Sequence, residues 1–173
     1  MNFNYRNLLP GEFNAFSRVW IYQASRLFSV TETLQIEDEL KEFVHSWNSH
    51  GVKVKGFGNL FFGQFIILMA DEAASGVSGC STDSSVRLIK EMENYFKVQL
   101  LDRQSLAFFL EDNVQLIPLS KLASAASEGF ISRDTLYFNN TVYTKTELEK
   151  NWIIPVKNSW LASRFVFQEA ATK

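Results

Sequence analysis

The residues most capable of chemistry cluster between positions 71 and 85. The run Gly79-Cys80-Ser81-Thr82-Asp83-Ser84 follows a Ser/Gly/Ala-rich stretch and precedes Val86, Ile89, Met92 and Phe96, which recur at helical spacing. A helix start exposes unpaired N–H groups and a partial positive charge, so it favours anions. With hydroxyls at Ser81, Thr82 and Ser84, close backbone approach at Gly79, and Arg26 as countercharge, this run forms a candidate anion site. Ser, Thr and Asp are also the preferred helix caps, so the same residues serve equally to start the helix. Asp71, Glu72 and Asp83 form a candidate carboxylate set for a divalent cation, although no diagnostic ligand spacing accompanies them. Cys80 stands where a helix terminus lowers a thiol pKa, but a nucleophile needs a base within reach. The only histidines, His45 and His50, fall at the far end of the preceding helix pattern.

These residues need elements to position them. Arg18–Leu27 reads as a strand, rich in aromatic and β-branched residues. Ser29 with Glu32 predicts a capping box, and Ile36, Leu40, Phe43, Val44 and Trp47 predict a helix ended by Gly51. Val52–Phe62 is extended and broken by glycines, Gly63-Gln64 predicts a turn, and Phe65–Ala70 predicts a strand buried on both faces. A second helix and a short returning strand, Val98–Leu101, complete the pattern. Strand, helix, strand, strand, helix, strand suggests a split βαβ, or ferredoxin-like, antiparallel sheet with two helices. Its first and third strands would run parallel, bringing Arg26, Asp71 and the second helix start to one rim.

Beyond Arg103 the pattern changes. Ala107–Leu110 and Val114–Ile117 flank Glu111-Asp-Asn113 as a hairpin, and Pro118 precedes a short helix stopped by Gly129. Leu136–Phe138 and Val142-Tyr143 flank Asn139-Asn140 as a second hairpin. Thr144 with Glu147 opens a further helix, and Trp160, Leu161, Phe165 and Phe167 lie in a last amphipathic segment. The expectation is α+β throughout, with domains at 1–103 and 104–173 and a C-terminal helix in the second.

Composition narrows the classes. Net charge is −2, with 17 basic and 19 acidic residues, so no bulk field attracts nucleic acid or an anionic membrane. Lys53 and Lys55 beside Phe57 and Phe61 offer only a small basic-aromatic platform for single strands. The longest apolar run is far shorter than a membrane span, no secretory core opens the chain, and one cysteine excludes an intramolecular disulfide. A cytoplasmic protein is expected, and no cofactor is implied.

Two resemblances follow. Phe62-Gly-Gln-Phe-Ile-Ile-Leu-Met-Ala-Asp-Glu72 with Ser78-Gly-Cys-Ser-Thr-Asp-Ser-Ser-Val-Arg87 resembles an uncharacterised Bacteroidetes protein family, sometimes labelled ABC-transporter ATPase. The residues do not support that label, because no G-x-x-x-x-G-K-[ST] loop occurs. Phe108-Phe-Leu-Glu-Asp-Asn113, Pro118-Leu-Ser120, Gly129-Phe-Ile131, Asp134-Thr-Leu-Tyr137, Trp152, Pro155 and Trp160 resemble a bacterial GYF-like domain. Phe108-Phe109 stand where that family has Tyr or Trp. The resemblance implies a small adaptor fold, some of whose relatives bind proline-rich peptides, with Phe108, Phe109, Tyr137, Trp152 and Trp160 as candidate contacts. The leading expectation is therefore a non-catalytic interaction protein with a protein or peptide partner. The alternative is an anion- or phosphometabolite-binding domain, with or without catalysis, using Gly79–Ser84.

Overall fold

The computed structural model describes residues 4–49, 51–71 and 79–167, and for 79–81 the backbone alone. In chain order the elements are β1 (Arg18–Gln23), α1 (Val30–Ser46), β2 (Asn48–Ser49), β3 (Val52–Lys53), β4 (Gly56–Phe61), β5 (Phe65–Ala70) and α2 (Gly79–Phe96). There follow β6 (Ser105–Leu110), β7 (Asn113–Pro118), α3 (Leu122–Ser127), β8 (Leu136–Phe138), α4 (Lys145–Asn151) and β9 (Ile153–Pro155). The fold is mixed α+β with antiparallel sheets. No described helix is long and apolar enough to cross a membrane.

The chain divides into two units: residues 4–102 with 140–149, and residues 103–139 with 150–167. The chain crosses between the units after residues 102, 139 and 149. Ten residues from the second half, 140–149, belong to the first unit.

In the first unit the sheet order is β1-β5-β4, with β5 central. All six residues of β5 are buried, as a continuous apolar strand requires when both faces are covered. Tyr22, Leu60, Ile66 and Leu68 pack with Ile36 and Leu40 of α1 and Ile89, Met92 and Phe96 of α2. Gly58 lets α1 approach β4, because a Cβ there would lie 3.1 Å from Leu68 and 3.3 Å from Val44. The turn joining β4 to β5 falls on Phe62-Gly63, one residue earlier than Gly63-Gln64. Both residues take left-handed φ, 54° and 63°, matching the twist of a tight hairpin.

Two expectations need correction here. The split βαβ sheet requires parallel first and third strands, yet β1 runs antiparallel to β5, from Arg18 opposite Ala70 to Gln23 opposite Phe65. The returning strand at Val98–Leu101 does not form either. The Glu93 carboxylate takes the amides of Leu100 and Leu101 at 2.6 and 2.9 Å, while the Gln99 amide donates to Ser25 Oγ. Local acceptors have replaced a strand ladder. The first helix also ends at Ser46, before Gly51. Trp47 turns away to pack on Phe43 and Trp20, with ring centroids 4.9 and 6.0 Å apart.

The segment 140–149 closes this unit by polar ties. Val19 N–H donates to the Tyr143 carbonyl at 2.9 Å, and Lys145 N–H donates to the Ser17 carbonyl at 2.9 Å. Lys145 Nζ is buried and donates to the Phe13 carbonyl at 3.1 Å. Tyr5 OH donates to the Leu148 carbonyl at 2.7 Å. Asn140 Nδ2 donates to Gln23 Oε1 at 2.9 Å, and β8 pairs with β9, so Val142-Tyr143 is not the second arm of a hairpin after β8.

The second unit is a four-stranded antiparallel sheet in the order β7-β6-β8-β9. Its first hairpin forms as expected, turning at Glu111-Asp112 with φ of 48° and 62°. Gly129, at φ 78°, stops the segment carrying α3. Phe108, Leu122, Ile131, Tyr137, Val156 and Leu161 form the core. The expected C-terminal helix is, among the described residues, a single 3-10 turn at Trp160–Ser163, started by Ser159 Oγ accepting from Leu161 N–H.

Candidate functional site

The anion rim fails at Arg26. Because β1 and β5 are antiparallel, the chain leaves β1 at the end of the sheet where β5 begins, while Asp71 follows the other end of β5. Arg26 Nη2 donates to the Phe96 carbonyl at 2.7 Å, at the C-terminus of α2. The N-terminus of that 18-residue helix is roughly 25 Å away at 1.5 Å per residue. Arg26 instead grips Glu32 with two bonds of 2.8 and 2.9 Å. Glu32 also accepts from Ser29 N–H at 2.7 Å and completes the predicted capping box, Glu32 N–H to Ser29 Oγ. The Arg26 guanidinium, then the Ser29 amide, hold the Glu32 carboxyl at about 2. Arg26 joins the start of α1 to the end of α2.

Gly79, Cys80 and Ser81 begin α2, but their side chains lie outside the described residues, as does Glu72 altogether. Thr82 is half-buried and its carbonyl accepts from Ser85 Oγ at 2.7 Å; Asp83 is exposed and Ser84 half-buried. Asp71 is buried against Lys55 at 2.9 Å. Among the described residues no group of three His, Cys, Asp or Glu could hold a metal ion. His45 is exposed on the last turn of α1, and His50 lies outside the described residues.

Of the lysine–phenylalanine platform, Lys53, Lys55 and Phe57 line an open concavity of about 500 Å³ with Lys41, His45 and Glu12 among others, while Phe61 is buried. Most of its positive charge has a structural use. Lys55 pairs with Asp71 and lies over the Phe13 ring at 4.8 Å, and Lys41 pairs with Asp38 at 3.0 Å. His45 stands on the last turn of α1.

The aromatic candidates of the second unit separate by burial. Phe108, Tyr137 and Trp152 are core residues at 0%, 1% and 0% exposure, which corrects their reading as partner contacts. Phe108 packs on Tyr137 with ring centroids 5.5 Å apart, and Trp152 meets Phe138 edge-on at 5.9 Å. Phe109 is half-buried. Trp160 alone among them is exposed, at 41%. Its position is fixed all the same. The indole N–H reaches Tyr137 OH at 3.4 Å, and the Arg164 guanidinium stands 5.6 Å from the ring centroid. Burial raises the Tyr137 phenol pKa, so the group stays protonated, and the Trp160 contact acts in the opposite sense.

The residue following Trp160 lines a feature that sequence reasoning missed. Leu161, Phe108, Leu122, Ala126, Ile131 and Val156 surround an apolar hollow, into which Phe165 and Phe167 also pack. The signal was present in Phe165-Val166-Phe167, an alternation of apolar side chains beyond the last turn. Without the position of α3 against β6, it reads simply as core material. Comparison with known proteins adds no relative: no family model, curated protein or solved structure matches the chain.

Proposed function

We propose that this chain is a non-catalytic protein-interaction protein whose second unit contacts the partner. The observation carrying this reading is Trp160, exposed yet held between Tyr137 OH and Arg164. A tryptophan already fixed in the free protein loses little conformational freedom on binding, and such residues dominate interface energetics. The GYF-like pattern across 107–161 supports the same reading, as an adaptor module for a protein or peptide. Its contact set, however, reduces to Trp160 with Phe109 at most. The anion-binding alternative lacks its countercharge, since Arg26 is committed to Glu32 and the end of α2.

The test is selection of peptides from a random display library against the purified chain, followed by titration against the variant Trp160→Ala. The expected loss is about 2 kcal/mol, or roughly thirtyfold in Kd, with the melting temperature little changed. Peptides that bind the variant as tightly as the parent would contradict the assignment of Trp160.

A further inference from the structure

Phe165 and Phe167 pack against the core of the second unit and form part of the wall of its hollow. Phe165 and Phe167 turn inward and are half-buried, while Val166 between them is 86% exposed. The chain bends at Phe165, and the in-out-in alternation presents two side chains to one groove, as a bound peptide does. The backbone takes no part in holding it: among the described residues, Phe165–Phe167 belong to no helix or strand and make no backbone hydrogen bond, the last being Arg164 N–H to Leu161 O at 3.1 Å. Retention rests on the two rings and on Arg133, whose guanidinium lies 5.9 Å from the Phe167 centroid. The remaining void is about 10 Å³, no more than one water's worth, and no polar group lines it. With the two rings in its wall, the hollow has no room for a further side chain.

We infer that Phe165-Val166-Phe167 is an internal ligand, and that the hollow takes a peptide carrying two aromatic side chains separated by one residue. The inference rests on the interaction reading above and names its partner chemistry. Here the closing segment is bound as a ligand would be, by side chains only. An external peptide of the same alternation must compete with it. A closed fraction near nine-tenths lowers the apparent affinity about tenfold.

The experiment uses a fluorescein-labelled peptide with the sequence of residues 162–169 and the full-length chain. Anisotropy titrations compare the parent with the double variant Phe165→Ser/Phe167→Ser. The peptide is expected to bind the double variant about tenfold more tightly than the parent. The same peptide with both phenylalanines replaced by serine should not compete. Equal affinity for parent and variant, or no binding to a variant that melts cooperatively, overturns the inference. Should the double variant not fold, Phe167→Ser is used under the same criteria. Display-selected peptides that depend on Trp160 but bind parent and double variant alike would leave the interaction reading standing and remove only the internal ligand.

Discussion

The two units solve the burial of a small sheet in opposite ways. In the first, β5 is covered on both faces, and the closing segment 140–149 is tied down by main-chain bonds and a buried lysine. In the second, the apolar hollow beside β6 is closed by two rings on a segment with no backbone hydrogen bond among the described residues. Closure by backbone is hard to undo locally, because each freed N–H and C=O must find water or another partner. Closure by side chains alone opens at the cost of apolar burial, which an incoming apolar ligand restores. On the proposed reading, the first unit is the structural one and the second carries the binding surface.

The sharpest way to break this comparison is within the second unit, at its two tryptophans. Trp152→Ala removes a fully buried ring against Phe138 and should cost about 3–5 kcal/mol in denaturant unfolding. Trp160→Ala should cost less than about 1 kcal/mol, since the ring is exposed and its hydrogen bond long. Equal losses would mean that Trp160 is a core residue and not a presented one.

Next in size is Lys145→Ala. The buried ammonium is lost and the carbonyls of Gly11 and Phe13 are left without it, a cost of about 1–3 kcal/mol. The damage should appear in the first unit although position 145 follows it by some forty residues in sequence. Hydrogen exchange read by mass spectrometry should show faster opening of β1 in the variant. Faster exchange confined to β6–β9 would contradict the assignment of 140–149 to the first unit.

The smallest effect is at Arg26. Glu32 titrates at about 2 instead of the ordinary 4.5, so its pairing contributes stability above pH 4.5 that is lost as pH falls towards 2. Both side chains reach solvent, which limits the contribution to about 1 kcal/mol or less. Arg26→Ala should therefore lower stability slightly at neutral pH and flatten the acid limb between pH 4.5 and 2. An unchanged acid limb would separate Glu32 from Arg26.

Much of the local structure was legible in the residues, and the sheet pairing was not. Ser29 with Glu32, the uniformly apolar Phe65–Ala70, the turn at Glu111-Asp112 and the stop at Gly129 all depend on neighbours within a few positions. Local chemistry decides them. The β1–β5 direction depends on a pairing across more than forty residues, and nothing in either strand's composition distinguishes parallel from antiparallel. That single choice carried the candidate site with it. Once β1 was turned over, Arg26 moved from the start of α2 to its end. The place of 140–149 was hidden for a similar reason, because Lys145 reads as a surface residue until Gly11 and Phe13 are seen to present carbonyls to it. The expected strand at Val98–Leu101 failed through Glu93, whose carboxylate takes the amides of Leu100 and Leu101 from a position too far along the chain for local patterning to pair them.

The division of roles is tested most directly by amide chemical-shift mapping of the full chain with a display-selected peptide. The account predicts shifts concentrated in β6, α3 and the segment 156–167, centred on Trp160 and Leu161, with β1, β4 and β5 unmoved. Shifts concentrated instead along α1 and β3–β4, around Lys53 and Phe57, would place the binding surface on the first unit and contradict it.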